Sequence, residues 1–223
     1  MSYTTTRPGV PSPFARPIFL LSWAAALGLV GYAAMNLIAM PAVSPGAFVP
    51  KTLARTGSPT FAVLQVVSVL GFAFAFMPVG VMLTIRKYAA SPQPVVLAGV
   101  LLCLALMLEI DNNLPVLGAL LYPERLAAVP PDVALYLRQA SSIRYLSFDV
   151  AGFTILYAAL LVYAAVFWRT NRLLGELVGA SVLSFVASIP FLWVSGVAAV
   201  ALLAVAVLAV APVPVILGRI ASE

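Results

Sequence analysis

The densest run of chemistry-bearing side chains in this sequence is Glu109-Ile-Asp111-Asn112-Asn113-Leu-Pro115. On a helix, Glu109, Asn112 and Asn113 lie three and four residues apart and share one face, whereas Asp111 points away from them. Pro115 has no N–H to give the carbonyl four residues earlier, so the Asp111 carbonyl is freed and a kink is expected there. Two carboxylates, two amides and a released carbonyl within one to two turns would make a polar socket. A third carboxylate, Asp149, follows Arg144 by five residues. Carboxylates brought together in a low dielectric cannot all stay charged cheaply unless Arg144 or a cation neutralises one of them. If this group is catalytic, the chemistry open to it is acid-base work: Glu109 or Asp149 would donate a proton and the other, or Asp111, would stabilise the resulting cation.

Other chemistries are removed by absence. The 223 residues contain no histidine and one cysteine, Cys103, inside the apolar run from Val100 to Leu108. Histidine-ligated haem, zinc and di-iron sites, thiolate metal sites and redox CxxC pairs are therefore excluded, and no metal or cofactor is expected. The twelve Lys and Arg residues against seven Asp and Glu give a net charge of +5, but they fall in scattered pairs between apolar runs. Such spacing forms no stripe along a phosphate backbone, so no nucleic-acid partner is expected.

The elements that must position these residues are set by composition. Hydrophobic residues make up 63% of the chain and charged residues 9%, against about 25% charged in an ordinary soluble domain. Such a chain cannot cover itself for water, and membrane lipid must contact most of its surface. An all-α polytopic membrane protein follows, with six stretches of roughly the 20 residues that a bilayer core requires. They run from Pro17 to Met40, Thr60 to Ile85, Pro94 to Tyr122, Ile143 to Trp168, Leu173 to Val194 and Ser195 to Leu217, between tails at 1–16 and 218–223. The last two form one apolar tract that turns near Pro190 and Ser195-Gly196. Six spans put both termini on one side. Arg86-Lys87 and Arg169 with Arg172 occupy short connections directly at span ends, which makes that side cytoplasmic by the positive-inside bias.

With this topology the polar residues within spans gather at one depth, in the half opposite the termini. They are Glu109, Asp111, Asn112 and Asn113 of the third span, Asn36 near the end of the first, Gln65 near the start of the second, Asp149 in the fourth, and Ser184 and Ser188 in the fifth. Intramembrane polar groups are expensive and usually face the bundle interior or a water-filled cavity. A candidate ligand site is therefore Glu109, Asp111, Asn112, Asn113, Asp149, Asn36, Gln65, Arg144 and Ser184. The fifth span also carries Gly175-Glu-Leu-Val-Gly179 with Ala180, Ser184 and Ser188 continuing at spacing four, a row that lets two helices approach closely. Arg172 and Glu176, four apart, are spaced for an ion pair. No internal repeat of charges or prolines relates the two halves, so an inverted-repeat transporter is not indicated.

Around Tyr122-Pro-Glu-Arg-Leu-Ala-Ala and Tyr145-Leu-Ser-Phe-Asp-Val-Ala-Gly-Phe the chain resembles uncharacterised small six-helix bacterial membrane proteins grouped as a domain of unknown function. The resemblance implies the six-span architecture and nothing about chemistry, and the expected location of such a chain is a bacterial plasma (cytoplasmic, inner) membrane. Three functions compete. The first is a non-enzymatic integral membrane protein binding a small or lipid-like ligand, or a partner membrane subunit, through a polar pocket in the outer half of the bilayer. The second is an intramembrane acid-base enzyme of isoprenoid isomerase or cyclase type using the paired carboxylates. The third is a structural or accessory subunit, including a homo-oligomer, whose polar residues only pack.

Overall fold

A computed structural model describes residues 14–39, 59–88, 92–121, 151–194 and 196–222, and every regular element among them is an α-helix. They are α1 (Ala15–Ala39), α2 (Pro59–Lys87), α3 (Pro92–Leu121), α4 (Ala151–Phe167), α5 (Arg172–Val194), α6 (Gly196–Val210) and α7 (Val213–Ser222). Apolar segments of 18 residues or more occur in α1, α2, α3 and α5 and across 197–222, five long enough to cross a membrane, while the described part of α4 is shorter. The protein is thus a multi-pass, all-helical membrane protein with five to six membrane-length helices. The expected starts and ends of the first three spans fall within two residues of the helix ends. Only 151–167 of the fourth expected span, 143–168, lies within the described residues.

The sixth expected span is the one that differs. From 195 to 217 the sequence reads as continuous, but the helix stops at Val210 and restarts at Val213. Pro212 and Pro214 carry no N–H, so the carbonyls of Leu208 and Val210 lose their helical donors, and a proline is tolerated only in the first turn of the new helix. The new start is marked by Val215 N and Ile216 N, which both donate to the Pro212 carbonyl at 3.1 Å. Residues 218–222, expected as a tail, are the end of α7, whose Val213, Pro214, Leu217, Gly218 and Ala221 are buried. Pro78, Pro115 and Pro190 lie within continuous helices, so the turn between α5 and α6 follows Val194 and not Pro190.

Neighbouring helices are α1 with α2, α2 with α3, and α5 with α6, and α7 closes against α1 and α2. The closest crossing is α1 over α2. A Cβ added at Gly28 would sit 2.7 Å from Phe72 N and 2.8 Å from the Ser68 carbonyl oxygen, so only glycine lets the two backbones meet here. The α4 helix is central: Phe153, Leu156, Tyr157, Ala159, Leu160, Tyr163, Ala164 and Phe167 are all buried. Its rings reach outward, Phe153 stacking on Tyr32 of α1 at 5.9 Å and Tyr157 packing on Phe185 of α5 at 4.9 Å.

Hydroxyls join α4, α5 and α6. Ser181 Oγ donates to the Ala206 carbonyl at 2.6 Å, an atom that can only accept, so the Tyr157 hydroxyl at 3.0 Å is the donor to Ser181. Ser181→Ala strands both the buried Tyr157 hydroxyl and its share of the Ala206 carbonyl and should cost about 1–3 kcal/mol. Tyr157→Phe removes one accepted bond and should cost about 0.6 kcal/mol. Melting of the two variants in detergent checks that order; equal losses would mean that the hydroxyls do not hold the three helices.

Among the described residues, the first part of the row expected from Gly175-xxx-Gly179 meets no neighbouring helix of the chain. Gly175 lies under the Trp168 ring of the preceding turn, nothing approaches Gly179 within 4 Å, and Ala180 is exposed. The face of α5 that packs is Leu174, Val178, Ser181 and Ser188, all buried. The helix starts where Asn171 Oδ1 accepts from Leu174 N at 3.1 Å, an amide capping the first turn. The expected Arg172 and Glu176 pair does not form; both side chains are exposed.

Candidate functional site

The antiparallel order of the helices gives the bundle two unlike ends. At the end where α1 begins and α7 stops, Arg86 Nη1 donates to the Ser222 carbonyl at 3.1 Å, and a Cβ on Gly218 would collide with Ser22. Arg16, Arg169, Arg172 and Arg219 are exposed at this same end. The opposite end holds Gln65 in the opening turns of α2 and Glu109, Asn112 and Asn113 in the closing turns of α3. All four are buried, with exposures of 8%, 1%, 5% and 0%. They sit on neighbouring helices in a bundle whose other buried side chains are almost entirely apolar. Of the polar residues expected at one depth, these four are the ones buried near the start of α2 and the end of α3.

The local geometry follows from helical spacing. Glu109, Asn112 and Asn113 face inward and Asp111 is exposed, so the candidate set separates as its spacing requires. Asn113 Nδ2 donates to the main-chain carbonyl of Glu109 at 2.9 Å and to Glu109 Oε2 at 3.4 Å. Amide and carboxylate thus form one unit on one turn of α3. Across from it α4 offers bare backbone: a Cβ at Gly152 would collide with Glu109 Oε1. Glycine at this position lets the carboxylate approach α4 closely, and a residue with a side chain there would force the Glu109 carboxylate aside. Asn113 Oδ1 is completely buried and has no hydrogen-bond partner among the described residues.

The remaining candidates divide. Ser184 is half-buried on α5, and Ser188 is buried but donates to the Phe185 carbonyl of its own helix at 2.6 Å, so its hydroxyl is used locally. Asn36 lies on α1 near its far end, with its side chain outside the described residues, and Arg144 and Asp149 lie outside them altogether. Among the described residues no group of three or more His, Cys, Asp or Glu side chains could hold a metal ion. Gly152 was missed as a site residue. Its signal is a glycine three residues after Asp149 at the start of a span, which acquires meaning only once the helix opposite is known.

A buried carboxyl group flanked by amides and enclosed by apolar helices can take part in hydrogen bonding or proton exchange. No protein-family model, no curated protein and no solved structure matches this chain.

Proposed function

We propose that this membrane protein binds a small or lipid-like ligand in a polar pocket at the end of the bundle remote from the chain termini. Six spans with both termini in the cytoplasm put that pocket in the outer half of a bacterial plasma membrane. The orientation is supported by Arg16, Arg86, Lys87, Arg169, Arg172 and Arg219, which sit at helix ends on the side of the termini where the positive-inside bias counts most. The observation that carries the ligand reading is the burial of Gln65, Glu109, Asn112 and Asn113 at one end of the bundle. Each polar group enclosed there costs more than the roughly 0.6 kcal/mol that a hydrogen bond between membrane helices returns on average. Such a cluster is retained for what it binds.

A thermal-shift screen tests this reading. The detergent-purified protein and Glu109→Gln are melted against phospholipids, isoprenoid alcohols and small amines. A ligand that raises the melting temperature of the parent and leaves Glu109→Gln unmoved is the expected result. If every ligand leaves the parent unmoved and Glu109→Gln simply melts lower, the cluster is packing and the ligand site is lost with it.

A further inference from the structure

We propose that the turn joining α4 to α5 binds the headgroup of an anionic phospholipid, at the end of the bundle remote from Glu109 and independently of any ligand there. The turn is short and tightly tied. Thr170 N and Asn171 N donate to the Phe167 carbonyl at 3.0 and 2.8 Å, and the Thr170 hydroxyl adds a bond to the same oxygen at 3.1 Å. Asn171 Oδ1 in turn accepts from Leu174 N. Three exposed side chains stand on this frame: Trp168 and Arg169 before Asn171, and Arg172 after it. The Trp168 ring is seated, because it lies where a Cβ on Gly175 would collide with it, yet the residue is 48% exposed. Lys87 joins them from α2. The Tyr163 hydroxyl lies 3.5 Å from Thr84 Oγ1, which sets α2 beside α4, and α4 begins against Glu109 and so runs the same way as α2. Lys87 and Phe167 each follow that contact by about one turn, which brings them to one level. Among the described residues no carboxylate pairs with Lys87, Arg169 or Arg172, and Glu176, exposed one turn further along α5, meets neither arginine.

Exposure continues from the arginines into the membrane. Leu161, Ala165 and Trp168, spaced four and three residues apart, form one outward strip of α4, and Leu173 is exposed at the start of α5. This surface is cationic at its rim and hydrocarbon below. A phosphodiester meets Arg169 and Arg172 through charge-assisted, paired N–H bonds, while its acyl chains lie along Leu161 and Ala165. A soluble anion would answer the guanidinium groups and leave the strip uncovered. A zwitterionic phospholipid brings its own ammonium, which opposes the arginines; a lipid of net negative charge does not. Trp168 sits at the join, where a ring with an apolar body and one N–H is at home. The positive-inside bias accounts for basic residues at this end, but not for their meeting around a ring that the fold holds in place.

Trp168 is also the reporter. The full chain carrying Trp23→Phe and Trp193→Phe keeps Trp168 as its single indole. It is reconstituted at low salt in phosphatidylcholine bilayers into which brominated phosphatidylglycerol or brominated phosphatidylcholine is titrated. Bromine quenches an indole that its lipid touches, so the two curves give the relative affinity of the site for the two headgroups. At about fivefold per arginine, a preference of roughly 5- to 30-fold for the anionic lipid is expected. It should collapse in Arg169→Gln with Arg172→Gln, exposed positions whose change leaves the fold intact, and largely persist in Arg169→Lys with Arg172→Lys. Anionic phospholipid retained by the detergent-purified parent, and lost from the double Gln variant, gives the same answer without the tryptophan substitutions. Equal quenching by the two lipids, or a preference undiminished in the double Gln variant, overturns the proposal. Displacement of the brominated anionic lipid by inorganic phosphate at matched ionic strength would make this a free-anion site and overturn it as well.

Discussion

Gly28→Leu is expected to prevent the helices from assembling. The Cβ of any side chain at 28 would stand 2.7 Å from Phe72 N, 2.8 Å from the Ser68 oxygen and 3.0 Å from Phe72 Cα. These are backbone atoms of α2 and cannot turn aside as a side chain would, so α1 and α2 must separate along their length. Ala25, Leu29 and Ala33 on α1 and Phe72, Ala73 and Phe76 on α2 would lose the contacts that bury them. Overpacking a core costs about 1–3 kcal/mol, and a rigid obstacle at a crossing belongs at or above the top of that range. Gly71→Leu is the matched control: it lies on the same helix one position from Phe72, yet nothing approaches it within 4 Å. Melting and size-exclusion profiles in detergent should leave Gly71→Leu close to the parent and Gly28→Leu aggregated or melting many degrees lower. Equal behaviour of the two would remove the α1 and α2 crossing as a determinant of the fold.

That crossing also shows where the sequence stops being readable. Composition and apolar length are properties of each segment alone, so the first three helices and their ends could be read without knowing any neighbour. The separation of Asp111 from Glu109 and Asn113 is likewise a consequence of one helix's own period. Contacts between helices are a different matter. Small residues at Gly175 and Gly179 and at Gly28 look alike in a sequence, yet the first pair meets Trp168 and open space while Gly28 meets a backbone. Ser181, not singled out by its spacing, joins α4, α5 and α6, whereas Ser184 on the expected row is only half-buried. The break at Pro212 was legible in principle, since two prolines one residue apart cannot lie inside a helix without losing two donors. The apolar run from 195 to 217 masked it, because hydropathy sums over positions where hydrogen bonding does not.

Glu109 and Asn113 lie at the limit of both kinds of reading. Their place within an apolar stretch of membrane length is legible in the sequence, but the geometry that makes them a unit needs the helix opposite, with Gly152 against the carboxylate. A stabilising role and a binding role make opposite demands on this unit. Were it the glue of the bundle, its removal would cost the hydrogen bonds it makes. As a binding site it keeps an enclosed acceptor unsatisfied, a standing cost that apolar residues of similar size would relieve.

The double variant Glu109→Met with Asn113→Leu separates the two most directly, because it needs no knowledge of the ligand. Both polar side chains are replaced together by hydrocarbon of comparable volume, so neither is left without the other. The ligand-site account predicts a melting temperature for the unliganded double variant equal to or above that of the parent, together with loss of every ligand-induced shift. A fall of more than about 1 kcal/mol, roughly 2–4 °C for a chain of this size, would contradict it and make the buried carboxylate and amide a structural joint.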